Sequence, residues 1–368
     1  MIGKTVSHYR ILGKIGQGGM GTVYKAEDIL LRRSVALKFL AQSALGDEMQ
    51  RARFLREAQA AGSLDHPNIC HVYGLESDGE QMFLVMAYVA GQSLDRRIVS
   101  GLVTFGDALE IAVQIGEGLR EAHANGVVHR DIKSANIIVT PTRRAVITDF
   151  GLALLSERSR ITKTGTVLGT VAYMSPEQAL ARSVDHRTDI WSLGVVLYEM
   201  LAGRLPFAGK TVHAVCRSIL KEAPQPVTVH REGLPSDISW VMEKLLAKRP
   251  EERYQHIDDL LVDLRAVRRK LPKDVESRSP VVPREGQIVE PAARTVTLVN
   301  GDDLTVDTTL GTSESNPVGG EREPTGLRPA GAAPPVRRGK WPWKWILAGF
   351  ALILIVGMAM KWWESLNS

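Results

Sequence analysis

Three glycines spaced as Gly16-x-Gly18-x-x-Gly21 stand between two stretches that read as β-strands, and this limits the fold more than any other feature. Dinucleotide-binding turns share the spacing, but such turns open a helix. Here the glycines run into Thr22-Val23-Tyr24-Lys25-Ala26, β-branched and alternating, which predicts a strand. A strand on each side makes a hairpin whose glycine tip can lie over phosphates. The Walker pattern, with its terminal Lys-Ser/Thr, is absent from this run.

Charged residues then fall where phosphate chemistry needs them. Val35-Ala36-Leu37-Lys38 places a lysine in an apolar strand, where it is costly to bury unless an anion receives it. Glu57, in Phe54-Leu55-Arg56-Glu57-Ala58, lies within a helical stretch from about residue 47 to 64 and is the candidate to pair with Lys38. A lone helical Glu is ordinarily solvated, so that pairing rests on context. The decisive cluster is His129-Arg130-Asp131-Ile132-Lys133-Ser134-Ala135-Asn136, followed by Asp149-Phe150-Gly151. A carboxylate five residues before an amide, with a second carboxylate beyond, supplies one base and two ligands for a hard cation.

In this order and at these distances the motifs resemble those of the Hanks-type protein kinases, particularly the bacterial membrane-anchored Ser/Thr branch. The resemblance covers residues 9–269. It implies an α+β, two-lobed fold with a β-rich N-lobe, a helical C-lobe and ATP in the cleft, with Mg²⁺ or Mn²⁺ as cofactor. Carried over residue by residue, Ile15, Gly16, Gln17, Gly18, Gly19, Met20, Gly21, Thr22 and Val23 form the flap over ATP. Lys38 contacts its phosphates, and Ala36 lies in the same ATP-binding strand. Asp131 is the base, Lys133 steadies the transferring phosphoryl group, and Asn136 with Asp149 holds the metal. Phe83–Val89 resembles the hinge, with Met86 as gatekeeper and the backbone of Ala87 and Val89 meeting adenine; Gly91 fits the turn leaving it. The hinge usually carries an acidic residue where this chain has Ala87, and Ser175 replaces the commoner alanine before Pro176-Glu177. Further matches make Asp189 the brace of the catalytic loop and Arg253 the partner of Glu177. They also make Thr170 a hydroxyl bonded to Asp131 and Lys133. Thr162 and Thr164 become autophosphorylation sites, with the Arg130 guanidinium donating to the phosphate.

The remainder of the chain changes character. Residues 271–340 are punctuated by prolines and rich in Gly, Ser, Thr and acidic residues, with a charge of about −4 over 271–336, and read as a flexible linker. One short run, 294–299, alternates like a strand. Residues 345–360 carry no charge and are flanked by Trp341, Trp343, Trp362 and Trp363. As a helix this run is ~24 Å long, and the indoles extend it to the headgroups, predicting a transmembrane helix over 343–363. Arg337, Arg338, Lys340 and Lys344 precede it and only Lys361 follows, which puts the kinase domain in the cytoplasm and residues 364–368 outside the cell membrane. The polar start, residues 1–10, does not read as a secretory signal.

Composition bounds the partners. A net charge of +5 over 368 residues is too small to argue for nucleic acid. Two cysteines, Cys70 and Cys216, build no disulfide framework and read as small buried hydrophobes. The expected partners are protein substrates and the lipid bilayer, with a homodimer left open. Two other functions share these motifs: a membrane-tethered pseudokinase scaffold, which would lack a lysine, base or metal ligand, and a small-molecule kinase. None of those residues is missing, and the long 149–177 segment suits a polypeptide substrate.

Overall fold

The computed structural model describes residues 1–18, 21–40, 48–79, 81–150, 167–231 and 233–270. Gly19, Met20, Thr162, Thr164, the 271–340 linker with its strand-like 294–299, the 343–363 span and the 364–368 tail lie outside the described residues.

Strong two-residue alternation builds the N-terminal sheet. Strands β1 (Thr5–Val6), β2 (Tyr9–Gly18), β3 (Gly21–Asp28), β4 (Arg33–Leu40), β5 (Val72–Asp78) and β6 (Gln81–Ala87) join antiparallel in the order β1-β2-β3-β4-β6-β5. Val35, Leu37 and Phe39 of β4 and Phe83 and Val85 of β6 enter one apolar cluster with Tyr9, Ile11 and Ala26. Ala36, Leu84 and Met86, one residue out of phase, enter the larger core shared with the helices. Side chains alternate across a pleated sheet, so the two cores lie on opposite faces. Helix α1 (Glu48–Gly62) buries Phe54, Ala58 and Ala61 at helical spacing against the larger core.

A second, three-stranded sheet, β7 (Gln92–Ser93), β8 (Ile137–Val139) and β9 (Ala145–Ile147), lies beside helix α2 (Leu94–Val99). Backbone bonds Cys70 N→Ile147 O and Ile147 N→Asn68 O, both 2.8 Å, tie the segment after α1 to β9. Helix α3 (Phe105–Ala124) opens with a reciprocal capping box between Thr104 and Asp107. Short helices α4 (Val167–Val171) and α5 (Pro176–Ala179) precede α6 (Arg187–Ala202), which is buried along nearly its whole length. Around it stand α7 (Val212–Lys221), α8 (Ser236–Leu245) and α9 (Ile257–Arg269), the last packed on α3. A helix apolar all round belongs at the centre of a bundle, and α6 occupies that place. Both cysteines are free, Cys70 buried and Cys216 half-buried. No helix among the described residues is long and apolar enough to cross a membrane.

Candidate active site

Five consecutive residues of β4, Val35–Phe39, are buried. Lys38 shares the Ala36 face and points away from the outer core, only 4% exposed. Its Nζ donates to Asp149 Oδ1 at 2.7 Å, the anion a buried ammonium requires. Asp149 adopts φ 65°, a left-handed conformation that L-residues hold only where their surroundings dictate it. Those surroundings include Thr148, whose N–H and hydroxyl both donate to Asn136 O, at 2.8 and 3.0 Å, fastening the end of β9 to the catalytic turn. Lys38 thus pairs with Asp149. Glu57, its expected partner, is half-buried on α1 with Oε2 enclosed.

The catalytic turn hangs from α6. The two carboxylate oxygens of Asp189 accept the N–H groups of His129 and Arg130, each at 2.8 Å, and Oδ2 also meets His123 Nε2 at 2.9 Å. Burial pushes the Asp189 carboxyl up, but these hydrogen bonds and the neighbouring His123 and His129 outweigh it and hold the carboxyl below its ordinary range. The brace expected of Asp189 is present, and it fixes Arg130 at φ 62°. His129 donates from Nε2 to Thr148 O (3.0 Å) and accepts the Asp131 N–H at Nδ1 (3.2 Å). Asp131 Oδ2 then receives Lys133 Nζ at 2.8 Å and Asn136 Nδ2 at 3.2 Å, while Nδ2 also donates to Asp131 O at 2.9 Å. Base, lysine and amide therefore meet on one carboxylate.

The flap hairpin closes in register, Gly18 opposite Gly21. Gly21 has φ +146°, and a Cβ there would sit 1.8 Å from Phe39 O, so no other residue fits. Ile15, Val23, Ala36, Met86, Ala87 and Val89 all join or pack on the larger apolar core, the lining expected around a planar base. Ala87 N–H donates to His71 O at 2.9 Å, and its carbonyl accepts a long bond from Cys70 Sγ at 3.4 Å. The Val89 N–H and C=O enter no hydrogen bond among the described residues. Gly91 is required by proximity rather than by a turn: a Cβ there would lie 2.5 Å from Val139 O.

Beyond the cleft, Arg253 donates to both oxygens of Glu177 at 2.7 and 2.8 Å and to the carbonyls of Ala247 and Lys248, completing the expected buried pair. Ser175, in place of alanine, caps α5 through Gln178 N and accepts Thr188 Oγ1 at 2.7 Å. Thr170, expected to bond Asp131 and Lys133, is half-buried. Val167–Val171 is wound into α4, and Lys133 reaches Asp131 directly. Residues 151–166, with Thr162 and Thr164, are outside the described set. Sequence reasoning missed His123, a single histidine on an amphipathic helix with no motif to flag it, and Gln178, whose Nε2 holds Arg130 O at 2.9 Å.

The donor set fits a nucleotide-bound divalent cation. Asn136 commits Nδ2 to Asp131, so its Oδ1 remains an acceptor, and Asp149 adds a carboxylate; hard oxygen ligands of this kind suit Mg²⁺. Among the described residues no group of three or more His, Cys, Asp or Glu could hold a metal alone; a bound Mg²⁺ would take its remaining ligands from water or phosphate.

A family profile described as "Protein kinase domain" matches residues 9–262. Serine/threonine-protein kinase PrkC of Bacillus subtilis (strain 168) is 40% identical over 267 residues, covering 72% of this chain and 41% of that protein. Serine/threonine-protein kinase PknB of Mycobacterium tuberculosis is 42% identical over 262 residues, 69% of this chain and 42% of that protein. This chain thus spans about two-fifths of the length of these curated relatives. The crystal structure of a variant Mycobacterium tuberculosis PknI kinase domain superposes with a TM-score of 0.59 at 25% identity, covering 73% of this chain and 98% of that one.

Proposed function

The chain belongs to the protein kinase family, and on that premise we propose that it transfers the γ-phosphate of ATP to serine and threonine hydroxyls of proteins in bacterial signal transduction. One observation carries the reading: Asp131, Lys133 and Asn136 converge on a single carboxylate, tied through Thr148 to the buried Lys38–Asp149 pair. ATP with its divalent cation supplies the phosphoryl group and neutralises its charge when bound. Asp131 accepts the substrate hydroxyl proton, Lys133 faces the migrating negative charge, and Lys38 holds the phosphates, with Glu57 positioning it as the flap closes. Positioning and charge account for most of the acceleration in phosphoryl transfer. No residue whose loss would mark a scaffold is missing, which favours the enzyme over the pseudokinase.

Full-length protein with labelled ATP and a generic basic protein should show transfer to Ser and Thr. Lys38→Met and Asp131→Asn should each lower it by several orders of magnitude while the fold is kept. Near wild-type turnover in either variant would overturn these roles. We further infer autophosphorylation at Thr162 and Thr164. Arg130 supports this, being half-buried with an enclosed Nε that has no partner among the described residues. Peptide mass spectrometry should find these phosphates in wild type and not in Asp131→Asn.

The uncharged 345–360 run between tryptophans supports a membrane anchor at 343–363, the kinase domain facing the cytoplasm. The full chain should resist alkaline carbonate extraction from membranes, and its recovery in the soluble fraction would sink the anchor.

A further inference from the structure

A polar chain, buried at Ser134 and Tyr173 and part-buried at Glu199, joins the catalytic turn to the segment before α5, and the residues already assigned to catalysis do not include it. Ser134, 1% exposed and lying between Lys133 and Asn136, has its Oγ 2.8 Å from the Tyr173 hydroxyl. Tyr173 in turn donates to Glu199 Oε2 at 2.7 Å. Three side chains from three separate parts of the fold thus meet in one line, ending on a carboxylate near the end of α6.

Among the described residues that carboxylate has no paired cation. No lysine or arginine among the described residues forms an ion pair with Glu199. Of the charged groups around it, Asp95 of α2 is acidic too, and Arg204 just past α6 acts on Tyr198 and His230 rather than on Glu199. Its place in the last turn of α6 sets it among carbonyls at the negative end of the helix dipole. Burial is the main influence pushing the Glu199 carboxyl up; hydrogen bonds from Tyr173 and Ser134 oppose it, and Asp95 adds to the rise, leaving it at about 7. Tyr173 is held neutral, its hydroxyl pushed well above the ordinary range by burial and by Glu199.

The two protonation states impose different hydrogen-bond directions. An ionised carboxylate can only accept, so the Tyr173 proton points to it and the Ser134 hydroxyl must donate into the pair. A protonated carboxyl can donate instead, which lets Tyr173 turn its hydrogen toward Ser134 and replaces a charge-assisted bond with weaker neutral ones.

We propose that Glu199 is a positioning residue whose one proton governs phosphoryl transfer. Ionised, it holds Tyr173 and Ser134 and so fixes the turn carrying Asp131, Lys133 and Asn136 against the segment before α5. Protonated, it releases that hold.

This inference rests on the kinase reading, and the test separates the two. The full-length protein and its variants are assayed from pH 5.5 to 8.5 with ATP and a neutral peptide acceptor lacking ionisable side chains. Folding at each pH is followed by thermal melting. Wild-type kcat should rise about five- to tenfold through neutrality. Glu199→Gln, permanently neutral, should stay at the acid-limb rate, so that the ratio of wild type to variant carries the inflection and titration of ATP cancels. Tyr173→Phe removes a donor to the carboxylate and should move the inflection to higher pH. A merely structural role for Glu199 would lower the rate evenly across the range. A Glu199→Gln profile parallel to wild type overturns the proposal. So does an inflection that stays in place in Tyr173→Phe, which decides the matter should Glu199→Gln fail to fold. Absence of transfer by wild type at every pH would instead strike the kinase reading.

Discussion

Helix α6 carries a carboxylate in its first turn and another in its last, and the protein treats them in opposite ways. Asp189 is fully buried, yet it accepts two backbone N–H groups and a histidine at the positive end of the helix, and stays ionised. Glu199 receives only hydroxyls, sits at the negative end near Asp95, and is driven toward neutrality. Burial pushes both carboxyls up; the number and kind of donors decide the outcome. The signs of their pH dependence follow. Stability from Asp189 is complete above its unfolded value of about 3.9 and is lost as pH falls through the depressed folded one. For Glu199 it is complete below about 4.5 and lost as pH rises through about 7. The end rich in hydrogen-bond donors serves as a rigid brace for the catalytic turn, while the end poor in them is free to change charge.

Glu177 represents a third solution, a buried carboxylate matched by a guanidinium, and removing that cation should give the largest effect. Arg253→Met leaves Glu177 uncompensated and orphans the carbonyls of Ala247 and Lys248. A loss of about 3–5 kcal/mol in denaturant unfolding is expected. Adding Glu177→Gln should restore part of it, because the buried charge is gone. If Arg253→Met costs less than Asp189→Asn, the ordering of guanidinium over backbone donors is wrong.

Asp189→Asn should rank next. The amide can keep one backbone N–H but turns its own NH₂ toward the other, so at least one charge-assisted bond is lost, worth about 1.5–3 kcal/mol. The larger consequence is geometric. His129 and Arg130 would no longer be pinned, the left-handed backbone at Arg130 would relax, and Asp131 would shift with it. A displacement of that kind can lower kcat about a hundredfold. Unchanged kcat in a folded Asp189→Asn protein would show that the brace is dispensable.

Contrast between the two ends of α6 also marks what sequence could and could not say. The flap glycines, Lys38, the Asp131–Asn136 turn and Asp149 each sit in a contiguous motif, and the alternation of β4 and β6 assigns their faces directly. The Asp189 brace and the Glu177–Arg253 pair became legible only through resemblance. Ser134, Tyr173 and Glu199 are separated by 39 and 26 residues, and no local pattern brings them together. The Lys38–Asp149 pair depends on the backbone of Asp149, a conformation that no propensity assigns to aspartate in advance.

Lys248 offers the smallest test, with the charge reversed. Its Nζ donates to Ile219 O at 2.7 Å and lies 3.8 Å from the centre of the Phe207 ring, with Trp191 beyond at 5.2 Å. Burial lowers its ammonium to about 8; the Glu222 charge opposes this and the neighbouring Arg253 adds to it. Like Glu199, it is a charge enclosed without a directly paired counterion among the described residues. Between about 8 and the ordinary lysine value of about 10.4 the unfolded chain keeps this proton and the folded protein gives it up. Stability from this group therefore rises with pH across that interval. Lys248→Met removes the titration while retaining much of the apolar stem packing. The melting temperature of wild type minus that of Lys248→Met should become more positive between pH 7 and pH 9.5, by a degree or two on the order expected for a half-buried group. Tyrosine and cysteine titrations are common to both proteins and drop out of the difference. A difference that stays flat or falls would mean that solvent and the aromatic rings stabilise the ammonium as well as water does, and burial would then not be what sets the charge of Glu199 either.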